Sequence, residues 1–220
     1  MKKAISIGLS ILLLSTFLSC KTIFLTAYGI KSEKFLTDDQ IIALAHKHKF
    51  DQYSLAKLKD DYKQFLLQMK KDTSANLVAP GNTRYASSTA HDMGQPLQYM
   101  LFNKDDQLIS YFINCYAKGF PNLKWNKGGI FDVFPPRSQS PIDTAVSWSS
   151  LQAHFIWLTP KQTGLNSNYT CVVYWDHLMG RQSRRLIKTV LRNYKTYDPK
   201  ESIHLVFVNN DNYFYEKSKK

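Results

Sequence analysis

The sequence predicts an α/β fold, in which a small mixed sheet is flanked by helices and preceded by an N-terminal helical segment. Two runs of apolar, aromatic and β-branched residues, Tyr169–Trp175 and 203–208, have the composition of buried strands. An amphipathic helical pattern lies between them, so the three pieces form a βαβ unit with parallel strands and a right-handed crossover. The apolar face of this helix comprises Leu186, Ile187, Val190, Leu191 and Tyr194, and the basic face comprises Arg181, Arg184, Arg185, Lys188, Arg192 and Lys195.

Residues 1–19 have the features of a secretory signal peptide. Lys2 and Lys3 form a basic tip, and the apolar run from residue 4 to residue 18 is short for a permanent membrane span. We therefore expect the mature chain to be exported.

Ser19 and Cys20, with Leu18 before them, resemble a bacterial lipoprotein processing site. The resemblance implies a cleavage that leaves Cys20 as a lipidated N-terminus, with residues 20–36 as a tether to the membrane. It also implies a location in the bacterial cell envelope, facing the periplasm. The alternative is an ordinary signal peptide in which Cys20 is incidental.

The other two cysteines, Cys115 and Cys171, both lie in strand-like runs. Outside the cytoplasm they could form one disulfide bond, and they could equally be two separate buried thiols that pack as small apolar side chains. Their wide spacing does not indicate a metal site. His46 and His48 do not indicate one either, because an i, i+2 pair points to different faces of a helix. We therefore expect no metal ion and no cofactor.

The chain is basic, with a formal net charge of +12 that becomes +10 when Lys2 and Lys3 are removed. The lysines are scattered along the sequence, which favours solubility as the main reason for the charge, and we expect no nucleic-acid partner. A basic protein tethered to a membrane also faces anionic lipid headgroups.

Residues 37–95 are predicted to be a helical segment followed by a connector. Thr37 and Gln40 have the spacing of a capping box, so a helix should follow over Asp38–Lys47.

Ser54 is expected to cap a second helix over residues 55–71. Residues 72–95 are rich in Ser, Thr, Gly and Pro and are predicted to be a long connector. The apolar stripe of the helix, which should pack on the main domain, comprises Leu55, Leu58, Tyr62, Phe65, Leu66 and Met69.

A β-hairpin is predicted from the strand-like runs 97–102 and 108–115, which flank a polar turn. The aromatic insertion at 116–141 either packs onto the domain as a lid or exposes an apolar patch to a partner, and packing is the commoner outcome. A further helix is expected from an Asp143 cap to about Leu158.

The last fifth of the chain resembles the core of the thioredoxin superfamily. Tyr174 and Trp175 match the aromatic–Trp pair that ends its first strand, and Gly180 matches the glycine of its Cys-Gly-Pro-Cys turn. Met179 and Gln182 stand where the family has its two reactive cysteines. The resemblance therefore implies a degenerate thioredoxin-like sandwich over residues 96–220 that lacks thiol–disulfide chemistry.

The resemblance leaves the place of the hairpin open. A thioredoxin fold ends with an antiparallel hairpin and a helix after the second parallel strand, but only nine residues follow Asp211 here. The hairpin at 97–115 either fills that place from the N-terminal side, as in a circular permutation, or is an additional N-terminal hairpin. In the permuted arrangement, Pro96 would stand where the family keeps a cis-proline facing the turn.

Loss of both cysteines from a retained strand–turn–helix unit favours binding over catalysis. We expect a membrane-anchored envelope protein that binds a protein or peptide partner at the start of the helix. There, free backbone N–H groups and Arg181, Arg184 and Arg185 would attract an acidic or carboxylate-bearing ligand. The alternative for these arginines is the solvated face of an amphipathic helix. The candidate binding residues are Trp175, Asp176, His177, Met179, Gly180, Arg181, Gln182, Arg185 and Pro96.

The second functional hypothesis is a thiol–disulfide oxidoreductase that uses Cys115 and Cys171 in place of the usual pair. Cys171 lies early in a predicted buried strand, which is an inert setting for a nucleophile, so the sequence leans away from this enzyme.

Overall fold

One mixed six-stranded sheet forms the centre of the computed structural model, which describes residues 29–76, 90–119, 122–159 and 167–219. The strand order is β3-β2-β5-β6-β1-β4. The strands are β1 (Ser54–Leu58), β2 (Gln98–Asn103), β3 (Leu108–Ile113), β4 (Phe155–Trp157), β5 (Tyr169–Trp175) and β6 (Ile203–Asn209). The signal sequence and Cys20 lie outside the described residues.

Helices cover both faces of this sheet. A 3₁₀ turn at Lys127–Gly129 lies within the aromatic insertion. The helices are α1 (Asp38–Lys47), α2 (Tyr62–Asn76), α3 (Trp148–Gln152), α4 (Gly180–Glu201) and α5 (Asp211–Ser218). Within the described ranges, no helix is both long enough and apolar enough to cross a membrane.

The βαβ unit predicted from the sequence is confirmed. β5 and β6 pair in parallel, from Tyr169 opposite Ile203 to Trp175 opposite Asn209, with α4 as the crossover. The predicted apolar face of α4 packs on the sheet, and Leu186 and Val190 are buried there. The parallel arrangement brings the carboxyl ends of both strands to the same edge of the sheet.

The predicted helix over 55–71 is wrong in its first part, because Ser54–Leu58 is strand β1. This strand lies between β6, to which it is parallel, and β4, to which it is antiparallel. Leu55 packs in the cluster under α1 and α4, while Ala56 and Leu58 pack on the opposite face. Burial on both faces of a sheet outweighs the helical spacing of these leucines. The helix begins only at Tyr62.

The helix expected from Asp143 to Leu158 is also shorter than predicted. Ser147 and Ser150 form the capping box of α3, which ends at Gln152. Asp143 instead accepts a hydrogen bond from the N–H of Ala145 at 2.9 Å. The chain then extends as β4 and pairs with β1 at the edge of the sheet.

The hairpin prediction is confirmed, and its position in the sheet is now defined. β2 pairs antiparallel with both β3 and β5, so the hairpin lies beside the first strand of the βαβ unit. Pro96 precedes it, and the Pro96 carbonyl accepts a hydrogen bond from Asn210 Nδ2 at 2.8 Å. Among the described residues the cis peptide bond is Phe134–Pro135, so Pro96 lacks the cis bond that the permuted arrangement would give it.

The aromatic insertion packs onto the domain on the α4 side of the sheet. Trp125 and Phe131 are each 1% exposed and belong to the same cluster as Leu186. Asn193 of α4 holds the insertion in place, since its Nδ2 donates to the carbonyls of Phe131 and Val133 at 2.7 and 3.1 Å. Packing, the commoner of the two outcomes expected for this segment, is the one observed.

Candidate functional site

A cavity of about 130 Å³ lies at the carboxyl edge of the parallel strands, where β5 turns into α4. We call it the edge cavity. Clefts at this edge of a parallel sheet are frequent ligand sites, because loops from neighbouring strands converge there. The residues that line it are Lys31, Leu44, Lys47, His48, Trp175, Asp176, His177, Gly180, Ser183, Arg184 and Ile187.

Asp176 is a buried acid in the lining of this cavity. Its Oδ1 accepts hydrogen bonds from Met179 N at 2.6 Å and from Ser183 Oγ at 3.2 Å. Its Oδ2 is buried and has no hydrogen-bond partner among the described residues. Burial, and then the nearby Asp211 carboxyl, hold the pKa of Asp176 well above its ordinary value. The protonated, neutral form is therefore favoured, and in that form Asp176 can donate a hydrogen bond.

Trp175 adds a second polar atom without a partner. The side chain is 2% exposed and packs edge-on against Phe50, with ring centroids 5.0 Å apart. Its indole Nε1 is buried and has no acceptor within the described part of the chain. Buried polar groups are rarely left unpaired, because each one costs about 1–3 kcal/mol. Trp175 and Asp176 thus both line the edge cavity, and each has one buried polar atom without a partner among the described residues.

Asp211 fixes the turn that carries these groups. Its carboxyl oxygens accept the backbone N–H of His177 at 2.8 and 2.9 Å, and Oδ2 also accepts from Asn209 Nδ2 at 2.8 Å. Burial raises the pKa of Asp211, and these donors together with Lys31 oppose that rise. Asp211 therefore ties the end of β6 to the turn after β5.

Positive charge surrounds the mouth of the edge cavity. The pKa of His48 is lowered by burial and then by the charges of Arg184, Lys47 and Lys31. Burial, Arg184 and Lys47 likewise lower the pKa of Lys31. Mutual lowering of this kind occurs when cations share a small space, and an anion between them would relieve the repulsion.

The segment before α1 supplies one of these cations by docking on the turn. The N–H of Lys31 donates to the Leu178 carbonyl at 2.8 Å, and Lys31 Nζ lies 3.3 Å from His177 Nδ1. Gly29 has φ +70°, and a Cβ added there would lie 2.8 Å from the Cβ of Arg181. The part of the expected tether from residue 29 onward therefore packs against α4 at a glycine-dependent contact.

A second concavity lies beside the edge cavity, along α1. We call it the α1 groove, and its volume is about 280 Å³. It shares Leu44, Lys47 and His177 with the edge cavity, so the two spaces are adjacent. Its remaining lining residues are Lys34, Leu36, Gln40 and Ala43.

Four of the predicted binding residues line the edge cavity: Trp175, Asp176, His177 and Gly180. Burial and the charges of Lys31 and Lys34 lower the pKa of His177, which favours the neutral imidazole.

The structure places the other candidates elsewhere. Met179 is the N-cap residue of α4 and packs against the core. Gln182 is buried, and its Oε1 accepts from Leu123 N at 3.0 Å, which is a structural role. Pro96, Arg181 and Arg185 are not among the residues that line the cavity, whereas Arg184 is.

The expected free N–H groups at the start of α4 are largely paired. The N–H of Met179 donates to Asp176, and that of Gly180 donates to the His177 carbonyl at 3.1 Å. The N–H groups of Gln182 and Ser183 both donate to the Met179 carbonyl. Side-chain donors and cations, rather than the helix terminus, therefore provide the binding potential of this site.

Cys115 and Cys171 are free thiols and do not form the disulfide considered above. Cys171 is buried opposite Leu101 in the sheet, and burial raises its pKa. Cys115 is exposed beyond the end of β3, and partial burial together with Asp92 raises its pKa. Neither thiol is in a setting that favours the thiolate.

Sequence reasoning missed several residues of the site, namely Lys31, Leu44, Lys47, His48, Ser183 and Asp211. Asp211 carried a usable signal, because a polar cluster that follows a second parallel strand must lie at the same edge as the turn after the first. Lys31 and Lys47 carried none, since their position depends on how residues 29–48 dock.

Within the described ranges, no group of three or more His, Cys, Asp or Glu side chains is placed to hold a metal ion. Comparison of the chain with protein-family models, with curated proteins and with solved structures finds no match.

Proposed function

We propose that this chain is a membrane-anchored envelope lipoprotein whose thioredoxin-like domain binds a carboxylate-bearing protein or peptide and performs no redox chemistry. The observation that carries the proposal is the edge cavity itself. It is lined by the cations Lys31, Lys47 and Arg184 and by Trp175 and Asp176, whose buried Nε1 and Oδ2 atoms have no partner among the described residues.

The chemistry of the lining selects the charge of the ligand. An indole N–H can only donate a hydrogen bond, and a neutral carboxyl group can donate one as well. Arg184 offers a planar fork that matches a carboxylate. A ligand group that accepts hydrogen bonds and carries negative charge matches these groups, whereas the cations Lys31, Lys47 and Arg184 would repel a protonated amine.

The strand arrangement supports the thioredoxin-like part of the proposal. The hairpin of β2 and β3 lies antiparallel beside β5, and β5 and β6 are parallel with α4 as their crossover. The strand order agrees with the permuted alternative, in which a hairpin placed earlier in the chain fills the position of the C-terminal one, although the bond before Pro96 is not cis. Helix α5 then follows β6, although fewer than ten residues were left for it.

The sulfur chemistry argues against the oxidoreductase alternative. Met179 and Gln182 occupy the positions that the resemblance assigns to the reactive cysteines. The pKa values of Cys115 and Cys171 are both raised, so little thiolate is present near neutral pH.

The first prediction tests the charge of the cavity with a short glutamate-containing peptide and the full chain in mild detergent. Arg184→Glu should weaken binding, measured by calorimetry, at least tenfold, because it places a negative charge beside the ligand. Lys188→Glu is the matched control, since Lys188 is exposed on the same helix but does not line the cavity. It should change the affinity less than twofold. An equal loss in both variants would reduce the effect to overall charge and remove the proposal.

A further inference from the structure

The edge cavity and the α1 groove offer two different environments that meet at shared residues. The edge cavity is lined by the cations Lys31, Lys47 and Arg184. The α1 groove has Leu36, Ala43 and Leu44 in its lining, together with Lys34 and Lys47. Leu44, Lys47 and His177 belong to both, so the two spaces are adjacent and a ligand that reaches across these residues would contact both.

The volumes are sufficient for both parts of a ligand. A cavity of roughly 150 Å³ can accept benzene, so the edge cavity, at about 130 Å³, has room for a carboxylate and the carbon that bears it. The groove, at about 280 Å³, has room for one large aliphatic side chain.

The adjacency of the two spaces selects among carboxylates. In the last residue of a peptide, the carboxylate and the side chain are attached to the same carbon, so the charged and apolar groups arrive together. In an internal glutamate, the carboxylate stands at the end of a flexible chain, and the nearest apolar side chain belongs to another residue. An anion-binding subsite beside an apolar subsite therefore matches the C-terminus of a peptide better than an internal acidic residue.

We propose that the edge cavity binds the C-terminal carboxylate of a peptide or protein whose last side chain is apolar and lies in the α1 groove. The inference rests on the proposed function and specifies its ligand. Arg184 and Lys47 hold the carboxylate beside Trp175 and Asp176, and Leu36 and Leu44 contact the terminal side chain.

Four acetylated tetrapeptides test this ligand class by calorimetry against the full chain in mild detergent. The first ends in leucine with a free carboxylate, the second is its C-terminal amide, and the third ends in glycine with a free carboxylate. The fourth carries an internal glutamate and an amidated end. The leucine-ended acid should bind at least tenfold more tightly than each of the other three. Its binding should also shift the indole N–H resonance of Trp175, which is assigned from its loss in Trp175→Phe.

Two variants separate the subsites. Ala43 is exposed in the groove, so Ala43→Asp should fold normally while placing a charge where the leucine side chain lies. It should weaken the leucine-ended acid about tenfold and leave the glycine-ended acid unchanged. Arg184→Gln should weaken both acids, and Lys188→Gln should weaken neither.

Each outcome decides between the two levels of the proposal. Equal binding of the leucine-ended acid and its amide, or of the leucine-ended and glycine-ended acids, overturns the C-terminal assignment. If the internal glutamate binds best and depends on Arg184, the proposed function stands and this inference fails. If no acid binds, both fail. If inorganic phosphate, or vesicles that contain phosphatidylglycerol, bind more tightly than the leucine-ended acid and depend on Arg184, the ligand is a phosphate group. That result would overturn the proposal of a peptide ligand.

Discussion

Asp176 and Asp211 lie at the same edge of the sheet, but their hydrogen bonds give them different roles. Asp211 accepts from the N–H of His177 with both oxygens, and Oδ2 also accepts from Asn209 Nδ2, so removing the carboxyl group would leave buried donors unpaired. Asp176 accepts through Oδ1 alone, while Oδ2 has no partner among the described residues. Asp211 is therefore a structural clamp, whereas Asp176 has one oxygen that the described residues leave unused.

The raised pKa of Asp176 makes a prediction about stability and pH. Below about pH 4, the carboxyl is protonated in both the folded and the unfolded chain. Above that pH, the unfolded chain releases the proton while the folded chain retains it, so folding becomes less favourable until the pH passes the folded pKa. Asp176→Asn removes this contribution and should flatten the fall in the free energy of unfolding.

Urea unfolding between pH 4.5 and 8 measures this effect. Relative to wild type, Asp176→Asn should gain up to about 1.4 kcal/mol for each pH unit between the unfolded and the folded pKa of Asp176. Asp105→Asn, on the exposed turn of the hairpin, makes the same change in formal charge and serves as the control. Parallel pH profiles for wild type and Asp176→Asn would show that the carboxyl is not protonated in the folded chain.

At the level of single residues, sequence reasoning found the turn but not its surroundings. Trp175, Asp176, His177 and Gly180 follow a recognisable strand, so their shared position could be inferred. The correct arginine could not be chosen, because Arg181, Arg184 and Arg185 all lie on the basic face of α4 and only packing decides which one faces α1. Lys31 and His48 reach the cavity through contacts between distant parts of the chain.

At the level of elements, local signals were sufficient where the chain caps its own structure. The capping box of α1 forms as the sequence indicates: the Thr37 hydroxyl accepts from Gln40 N, and the Gln40 side chain accepts from Thr37 N. The prediction was wrong for strand β1, because its five residues have leucines three positions apart, a spacing that fits a helix as well as a strand. Only pairing with β6 settles that assignment, and pairing is not visible in a single local window.

Residues 29–36 pack against α4, and one added side-chain atom at Gly29 should disrupt this packing. Gly29→Ala adds a Cβ into the Arg181 side chain at a residue with φ +70°, so it should lift this segment off α4. The N–H of Lys31, which donates to Leu178, should then exchange with solvent at least tenfold faster. Ligand affinity should fall as Lys31 leaves the cavity.

Hydrogen exchange measured by NMR checks this prediction, with the N–H of Phe207 in the central strand β6 as an internal reference. Gly128→Ala is a suitable control, because Gly128 also has a positive φ but an added Cβ there meets no atom within 4 Å. Unchanged exchange at Lys31 in Gly29→Ala would mean that the segment does not depend on this close approach.

At the level of the whole molecule, the two parts of the chain form one sheet. The segment 37–95 was expected to be a helical segment and connector that packs on a domain over 96–220, but it contributes β1 to the sheet of that domain. It also contributes Ile41, Ala45 and Phe50 to the core under α4, and Tyr62 and Leu66 to the opposite core. Residue 96 therefore does not separate two folding units.

This shared sheet predicts that residues 96–220 cannot fold alone. Without β1, the backbone of β6 loses a partner along a strand that is buried throughout. Burial of one large apolar side chain contributes about 1.5–3 kcal/mol. Loss of Ile41, Phe50, Leu55 and Tyr62 would thus remove an amount comparable with the whole stability of a typical domain, about 5–15 kcal/mol.

Circular dichroism and urea unfolding of the fragment 96–220 should show no cooperative transition, whereas residues 29–220 should unfold in a single cooperative transition. Adding residues 29–95 as a separate chain should restore the transition, because β1 can then pair with β6 from outside. A cooperative transition in residues 96–220 alone would mean that the hairpin, β5, α4 and β6 are sufficient, and that the edge cavity is an addition to an already stable domain.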